Sequence, residues 1–405
     1  MKKFLAILLA ALMVVSLAAC GGGSGTSAPA ADGATGAAQA EPVKQGTGTP
    51  TIIWLSNLTA GAQYEGCVNY LTAICDALGY KFTVVYGDSF NDAAGNLNAI
   101  KNAMTTDVKG IIVSQDGGLA AIMEEYPDLY IAGYNTEIRS AFDPSGENAA
   151  VLSNDHFLGT ISDGYTHGED IGHQYAQEVI NRGLKKVAVI NFPGFAYPSL
   201  IEGTEAFYAD IEEYNKTAAE KIEVVGEATT LMFSPLEDSW FLETGYGDLD
   251  AIVGLCAGVQ FIYPTLVSAK AGGSCDPKTI LITSGFDTDP NIVADIGEGR
   301  NIAYVSVSPL EDCAYSLVLL DNAISGNMPA DFQVQQLDGN TYIIDSIEDI
   351  DNVMSKSLMG TTDVALAQIP VEEIVAACGR NNPDFTYADL VELFHSDKLS
   401  ADALK

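Results

Sequence analysis

From Thr51 onward, short continuous apolar runs alternate with segments of helical periodicity. TIIWLS (51–56), KFTVVY (81–86), GIIVS (110–114) and LYIAGY (129–134) read as strands covered on both faces. Between the first two, Tyr64, Cys67, Val68, Leu71, Ile74, Cys75 and Leu78 step by three and four, which predicts a helix to about Leu78 with one buried face. Leu97 and Ile100 mark a second helix, and a third follows GIIVS. Parallel strands need a crossover helix, so the alternation predicts a doubly wound α/β sheet.

The alternation then starts again. AAVLSN (149–154) is expected as the first strand of a second lobe, followed by a helix ending near Gly183. KKVAVINF (185–192), a helix around Ile201–Ile211, KIEVVGE (221–227), DAIVGLC (250–256), a helix to about Ala271, TILITSGF (279–286) and NIAYVSVS (301–308) complete it. The tail reads as helical, with Pro370 suited to a first turn and Thr386-x-x-Asp389 forming a capping-box pattern. It is expected to pack on the lobes.

The N-terminus has a different pattern. Lys2 and Lys3 precede an apolar stretch, Phe4 to Ala19, that ends in Leu17-Ala18-Ala19-Cys20. This is the expected form of a lipoprotein signal peptide over 1–19, with lipid attachment, such as palmitate, at Cys20. Residues 20–50 are almost entirely small, polar or Pro, and are expected to be a flexible linker with a typical span of about 30 Å. The folded body would then work outside the cytoplasm, attached to the membrane by its lipid.

Composition narrows the partners. The chain carries 54 acidic and 19 basic residues, a formal net charge of −35, which repels nucleic acid and anionic lipid surfaces. The cysteines beyond Cys20, at 67, 75, 256, 275, 313 and 378, include no C-x-x-C pair. Cys67 and Cys75 share the buried helix face and sit about 12 Å apart along it, too far to bridge. His167, Glu169 and His173, with Asp155 and His156 upstream, do not share one helix face, so no metal site is expected. Gly164, Gly168 and Gly172 recur every four residues and predict close packing of their helix on the second-lobe sheet. There is no G-x-S-x-G elbow, P-loop or dinucleotide-binding turn in the sequence, so a non-enzymatic chain without a cofactor is expected.

Four stretches in order resemble the type-1 periplasmic binding proteins, the superfamily of sugar-binding proteins and lactose-repressor-like regulators, over about residues 51 to 355. Asn181-Arg182-Gly183 followed by Lys185-Lys186-Val187-Ala188-Val189-Ile190 is similar to one strand entry, and Asp250-Ala251-Ile252-Val253 to another. Gly285-Phe286-Asp287 with Pro290 resembles the element that ends a second-lobe strand at the cleft. Pro309 and the helix to Gly326 resemble the return to the first lobe. The resemblance implies two doubly wound lobes joined by a hinge with a ligand cleft between them. The lobes are expected at 51–136 with 308–332, and at 137–307 with 333–348, leaving 349–405 as a helical extension.

It also implies a binding protein for an ABC-type importer, holding a small molecule, with a sugar first in order, and handing it to a membrane permease as a monomer. The same fold also suits a nucleoside binder or the ligand-sensing subunit of a membrane receptor. Candidate contacts lie at strand ends: Asn57 and Thr59, Gln115 and Asp116, Asn154 and Asp155, Phe195 and Tyr197 (with Phe192 just before them), Phe286 and Asp287, and Ser306. A carboxylate beside an aromatic face suits a sugar. The departures matter too. Thr59 and Ala60 stand where many sugar binders carry rings, Ser199-Leu200-Ile201 where many carry an arginine, Cys256 near a usual asparagine, and Ser306 and Ser308 near a usual glutamine. Fewer bidentate donors point toward a less hydroxylated, more aromatic ligand, nucleosides included.

Overall fold

In the computed structural model, which describes residues 43–89, 92–138, 149–162, 168–399 and 401–405, the apolar runs pair as parallel strands. The first part runs β1 (Thr51–Leu55), α1 (Ala62–Leu78), β2 (Lys81–Val85), α2 (Ala93–Ala103), β3 (Val108–Val113), α3 (Leu119–Glu125), β4 (Tyr130–Tyr134) and β5 (Phe157–Ile161). Next come α4 (Gly168–Asn181), β6 (Lys186–Asn191), α5 (Pro198–Thr217), β7 (Glu223–Val224), β8 (Thr229–Thr230) and β9 (Ala251–Leu255). Then follow α6 (Gly258–Phe261), α7 (Tyr263–Gly272), β10 (Ile280–Ser284), α8 (Pro290–Glu298) and β11 (Ile302–Val307). The chain returns through α9 (Cys313–Ser325) and β12 (Gln336–Leu337), crosses again into β13 (Tyr342–Ile344) and α10 (Ile347–Lys356), and ends in α11 (Leu358–Thr361), α12 (Val371–Ala376) and α13 (Tyr387–Phe394).

Two sheets result. The first has the order β12-β5-β4-β3-β1-β2 and is parallel throughout; the second has the order β13-β11-β10-β9-β6-β7, with β8 beside β6 and β13 antiparallel to β11. All five residues of β1 are buried, and its Trp54 satisfies its indole by donating to Ser114 Oγ at 2.9 Å. On α1 the apolar stripe faces inward as its spacing predicts, with Cys67, Leu71, Ile74, Cys75 and Leu78 buried. The six described cysteines are all buried thiols without a disulfide.

Several boundaries differ from expectation. AAVLSN forms a 3-10 turn over Ala149–Ser153, in which Val151 alone is buried, whereas every residue of Phe157–Ile161 is buried. A strand covered on both faces needs that continuous burial, so Phe157–Ile161 becomes β5, and it pairs with β4 in the first sheet. The first lobe therefore extends to Ile161 rather than stopping at 136. Likewise β12 pairs with β5, which puts 336–337 in the first lobe; the passage to the second lobe lies between Leu337 and Tyr342. The linker is also shorter than expected. Lys44 bridges Thr105 and donates to Asn102 O at 2.9 Å, while Gly48 N–H donates to Asp107 at 2.7 Å, so the folded body has begun by Lys44. Residues 1–42, with Cys20, and also Gly164 and His167, lie outside the described residues.

Gly172 lies at the crossing of α4 and α5, not against the sheet. A β-carbon there would sit 2.1 Å from Gly203 O. Gly172→Ala must push the two helices apart, and is expected to lower stability by about 1–3 kcal/mol. Guanidinium unfolding followed by fluorescence checks this, and an unchanged midpoint would show that the crossing tolerates displacement. On the same helix, His173 pairs with Asp210 at 2.7 Å.

The tail packs on α1 and α9. Tyr70 donates to Ile369 O at 2.5 Å, the Tyr315 and Tyr387 hydroxyls lie 2.7 Å apart, and the Thr386–Asp389 capping box forms on α13. Beneath it, Arg380 forms an ion pair with Asp321, a fully buried carboxylate of α9 that also accepts from Tyr80 OH at 2.9 Å.

Candidate functional site

In open parallel sheets the space beyond the carboxyl ends of the strands is free of crossover helices, and it is deepest where the strand order reverses. Here the order reverses beside β1 in one sheet and beside β6 in the other. The loops leaving these strands enclose a cavity of about 390 Å³, within the roughly 300–1,000 Å³ usual for small-molecule sites. Asn57 enters after β1, Tyr134 and Asn135 at the end of β4, and Ser162 after β5. The other sheet contributes Phe192 after β6, Cys256 after β9, Phe286 and Asp287 after β10, and Ser308 after β11.

The second-lobe wall is aromatic. Phe192 is the centre of a cluster, with ring centroids 5.0 Å from Phe261 (edge-on), 5.2 Å from Phe233 and 6.0 Å from Tyr197. Phe233 takes φ +56°, the left-handed region that bulky side chains rarely adopt, and lines the cavity from that conformation. Asn135 also has positive φ, at +53°, and also lines the cavity.

The first-lobe wall carries polar acceptors. Asp312 accepts from Asn340 N–H at 3.3 Å through one oxygen, while its Oδ1, like Asn57 Oδ1, is buried without a hydrogen-bond partner. Burial, the largest effect, pushes the Asp312 carboxyl well above its ordinary range. Burial similarly raises the neighbouring Glu311, which accepts from Gln368 N–H at 2.9 Å. The Cys256 thiol is pushed up by burial too, which keeps it protonated and unreactive. The lining thus sets an aromatic wall against a polar one, a combination suited to a small-molecule site.

Of the sequence candidates, Asn57, Tyr197, Phe286, Asp287 and Ser306 line the cavity. Asp287 accepts from Asp289 N–H at 2.8 Å, and Asp289, not Asp287, caps α8. The Ser306 hydroxyl lies 2.7 Å from Tyr175 OH. The described lining does not include the others. Thr59 is exposed beside the rim. Gln115 is buried and donates to Ser56 O at 2.8 Å, holding the β1 loop from behind, and the Asp116 carbonyl accepts from Leu119 N–H at the start of α3. Asn154 and Asp155 precede β5, at its amino end and thus on the far side of the sheet from the cavity; Asn154 closes a turn by accepting from His156 N–H at 2.9 Å. Phe195 is 66% exposed and meets Phe233 edge-on behind the aromatic cluster.

Sequence reasoning missed Tyr134, Asn135, Phe233, Phe261 and Asp312. The first two end an apolar run and were open to the same strand-end rule. Phe233 and Phe261 had no such signal, since one lies in an irregular loop and the other at the end of the four-residue helix α6.

Solved structures share this fold of two α/β lobes. An ABC transporter solute binding protein from Agrobacterium vitis, bound with α-D-tagatopyranose, matches 76% of this chain and 96% of its own at 14% identity, with a TM-score of 0.57. The fold is that of the type-1 periplasmic binding proteins. A glucose-galactose binding protein from Geobacillus stearothermophilus matches this type-1 fold over 73% of the chain and 97% of its own at 16% identity and TM-score 0.53. A Bacillus halodurans solute binding protein with bound myo-inositol matches 76% of the chain at 16% identity and TM-score 0.52, covering 97% of its own length. No protein-family model and no curated protein matches the sequence. Against these type-1 neighbours, about a quarter of the chain is unmatched.

Proposed function

We propose that this chain is the extracytoplasmic solute-binding protein of an ABC-type importer, anchored through lipid on Cys20. It would hold a small molecule between its lobes and present the closed form to a permease. The observation that carries this function is the cavity itself, walled by strand ends of two separate sheets, so that filling it draws the lobes together. The neighbours named above are ABC transporter or sugar-binding proteins with neutral polyols among their ligands. Among the described residues no helix is long and apolar enough to cross a membrane.

Two measurements test this. Labelling with a palmitate analogue should mark the chain and fail for Cys20→Ser. A thermal-shift screen against sugars, polyols, nucleosides and amino acids should give at least one hit, since a ligand at 100 times its Kd adds about 2.7 kcal/mol. With that ligand, Asp287→Ala should weaken binding by about 1–3 kcal/mol in calorimetry. Unchanged affinity would remove Asp287 from the site.

A further inference from the structure

We propose that the solute is an uncharged nucleoside, its base seated among the second-lobe rings and its sugar hydroxyls turned to the first-lobe acceptors; this rests on the solute-binding function proposed above. Phe192 and Tyr197 of one loop, Phe233 and Phe261 come from three separate segments yet converge on one wall, with Phe286 beside them. A small sugar offers such a surface only a C–H face and keeps hydroxyls around its whole edge, each of which opposes binding where it is left unmatched. A planar heterocycle covers more of the rings and gains stacking. Phe233 adds an independent indication. Its +56° φ is strained for a phenylalanine, and such strain persists where the surrounding structure over-determines it, characteristically at ligand clamps.

The opposite wall asks for donors. Asn57, Gln63, Asn135 and Asp312 line the cavity with side chains that carry acceptor oxygens, and a vicinal diol offers O–H groups to such a wall. Among the described residues the lining holds two carboxylic side chains, Asp287 and Asp312, and no Lys, Arg or His. A phosphate would find no cationic side chain there to pair with, which separates nucleosides from nucleotides.

Calorimetry on the full-length chain with adenosine, inosine, guanosine, uridine and cytidine, their 5′-monophosphates, D-ribose, D-glucose and myo-inositol decides the matter. The expected result is binding of at least one nucleoside, with its monophosphate weaker by roughly 100-fold and free ribose weaker still. Phe233→Ala should reduce nucleoside affinity by about tenfold or more, with Phe233→Tyr retaining most of it. A free sugar or inositol that binds while all nucleosides are silent overturns the nucleoside assignment and leaves the solute-binding function standing. A monophosphate as tight as its nucleoside, or a Phe233→Ala variant with unchanged affinity, also overturns it. Silence of this whole panel and of the wider thermal-shift screen counts against both.

Discussion

Replacing Arg380 by alanine is expected to remove about 3–5 kcal/mol of folding stability, the usual cost of leaving one partner of a buried ion pair alone. Asp321 is fully buried on α9, while Arg380 reaches it from the tail with 31% of its side chain exposed. The guanidinium bonds both oxygens of Asp321, donates to Leu78 O at 3.0 Å at the end of α1, and lies 5.2 Å over the Tyr80 ring. One side chain thus ties the tail to two first-lobe helices. Arg380→Lys keeps the charge but not the fork, so an intermediate loss is expected. The double variant Asp321→Asn with Arg380→Met should recover part of the loss, because no charge is then stranded. Trp54 and Trp240 are the two tryptophans and stand one in each lobe, so unfolding of a Trp240→Phe chain reports on the first lobe by itself. A change below about 1 kcal/mol for Arg380→Ala would mean that the tail contributes little to that lobe.

The second large effect concerns closure. Glu137 follows β4 in the first lobe and is 1% exposed; it accepts from Ser199 Oγ–H and, at 3.3 Å, from Ser199 N–H in the first turn of α5, in the second lobe. Tyr197 and Leu200, on either side of Ser199, line the cavity, so this contact lies next to the lining. A carboxylate at a helix N-terminus also meets the positive end of the helix dipole. The bond requires the lobes to be together, so under the proposed function, in which the lobes part to admit a solute, it would favour the closed arrangement. Glu137→Ala should weaken ligand affinity by about 1.5–3 kcal/mol, or roughly 10- to 150-fold in Kd, while Glu137→Gln should lose less. The loss is expected in the dissociation rate, and small-angle scattering of the ligand-free variant should show a larger radius of gyration. Affinity within twofold of the parent would sink the idea.

Much of the architecture was legible because a parallel sheet under helices leaves a coarse signature. Continuous apolar runs such as TIIWLS and DAIVGLC have few alternatives to buried strands, and the Tyr64–Leu78 stripe admits only a helix with one face inward. The failures share a cause. AAVLSN and FLGTI are both short and apolar, and which becomes a strand depends on which finds β4 and β12 on either side. That single choice moved a lobe boundary and carried Asn154 and Asp155 to the far end of the strand. At the site, strand-end logic located Asn57, Tyr197, Phe286, Asp287 and Ser306, but it treated Gln115 as a contact when its amide is used to brace the loop behind Asn57.

The sequence by itself determined the class of fold and the repetition of two α/β lobes, because burial on both faces of a strand and on one face of a helix is written in local periodicity. Only the tertiary structure decided which strand joined which sheet, that Asp312 and Phe233 meet in one cavity, and that Glu137 reaches across to Ser199. Those pairings are between residues far apart in the chain, where no local pattern carries information and the packing of the two sheets sets the outcome.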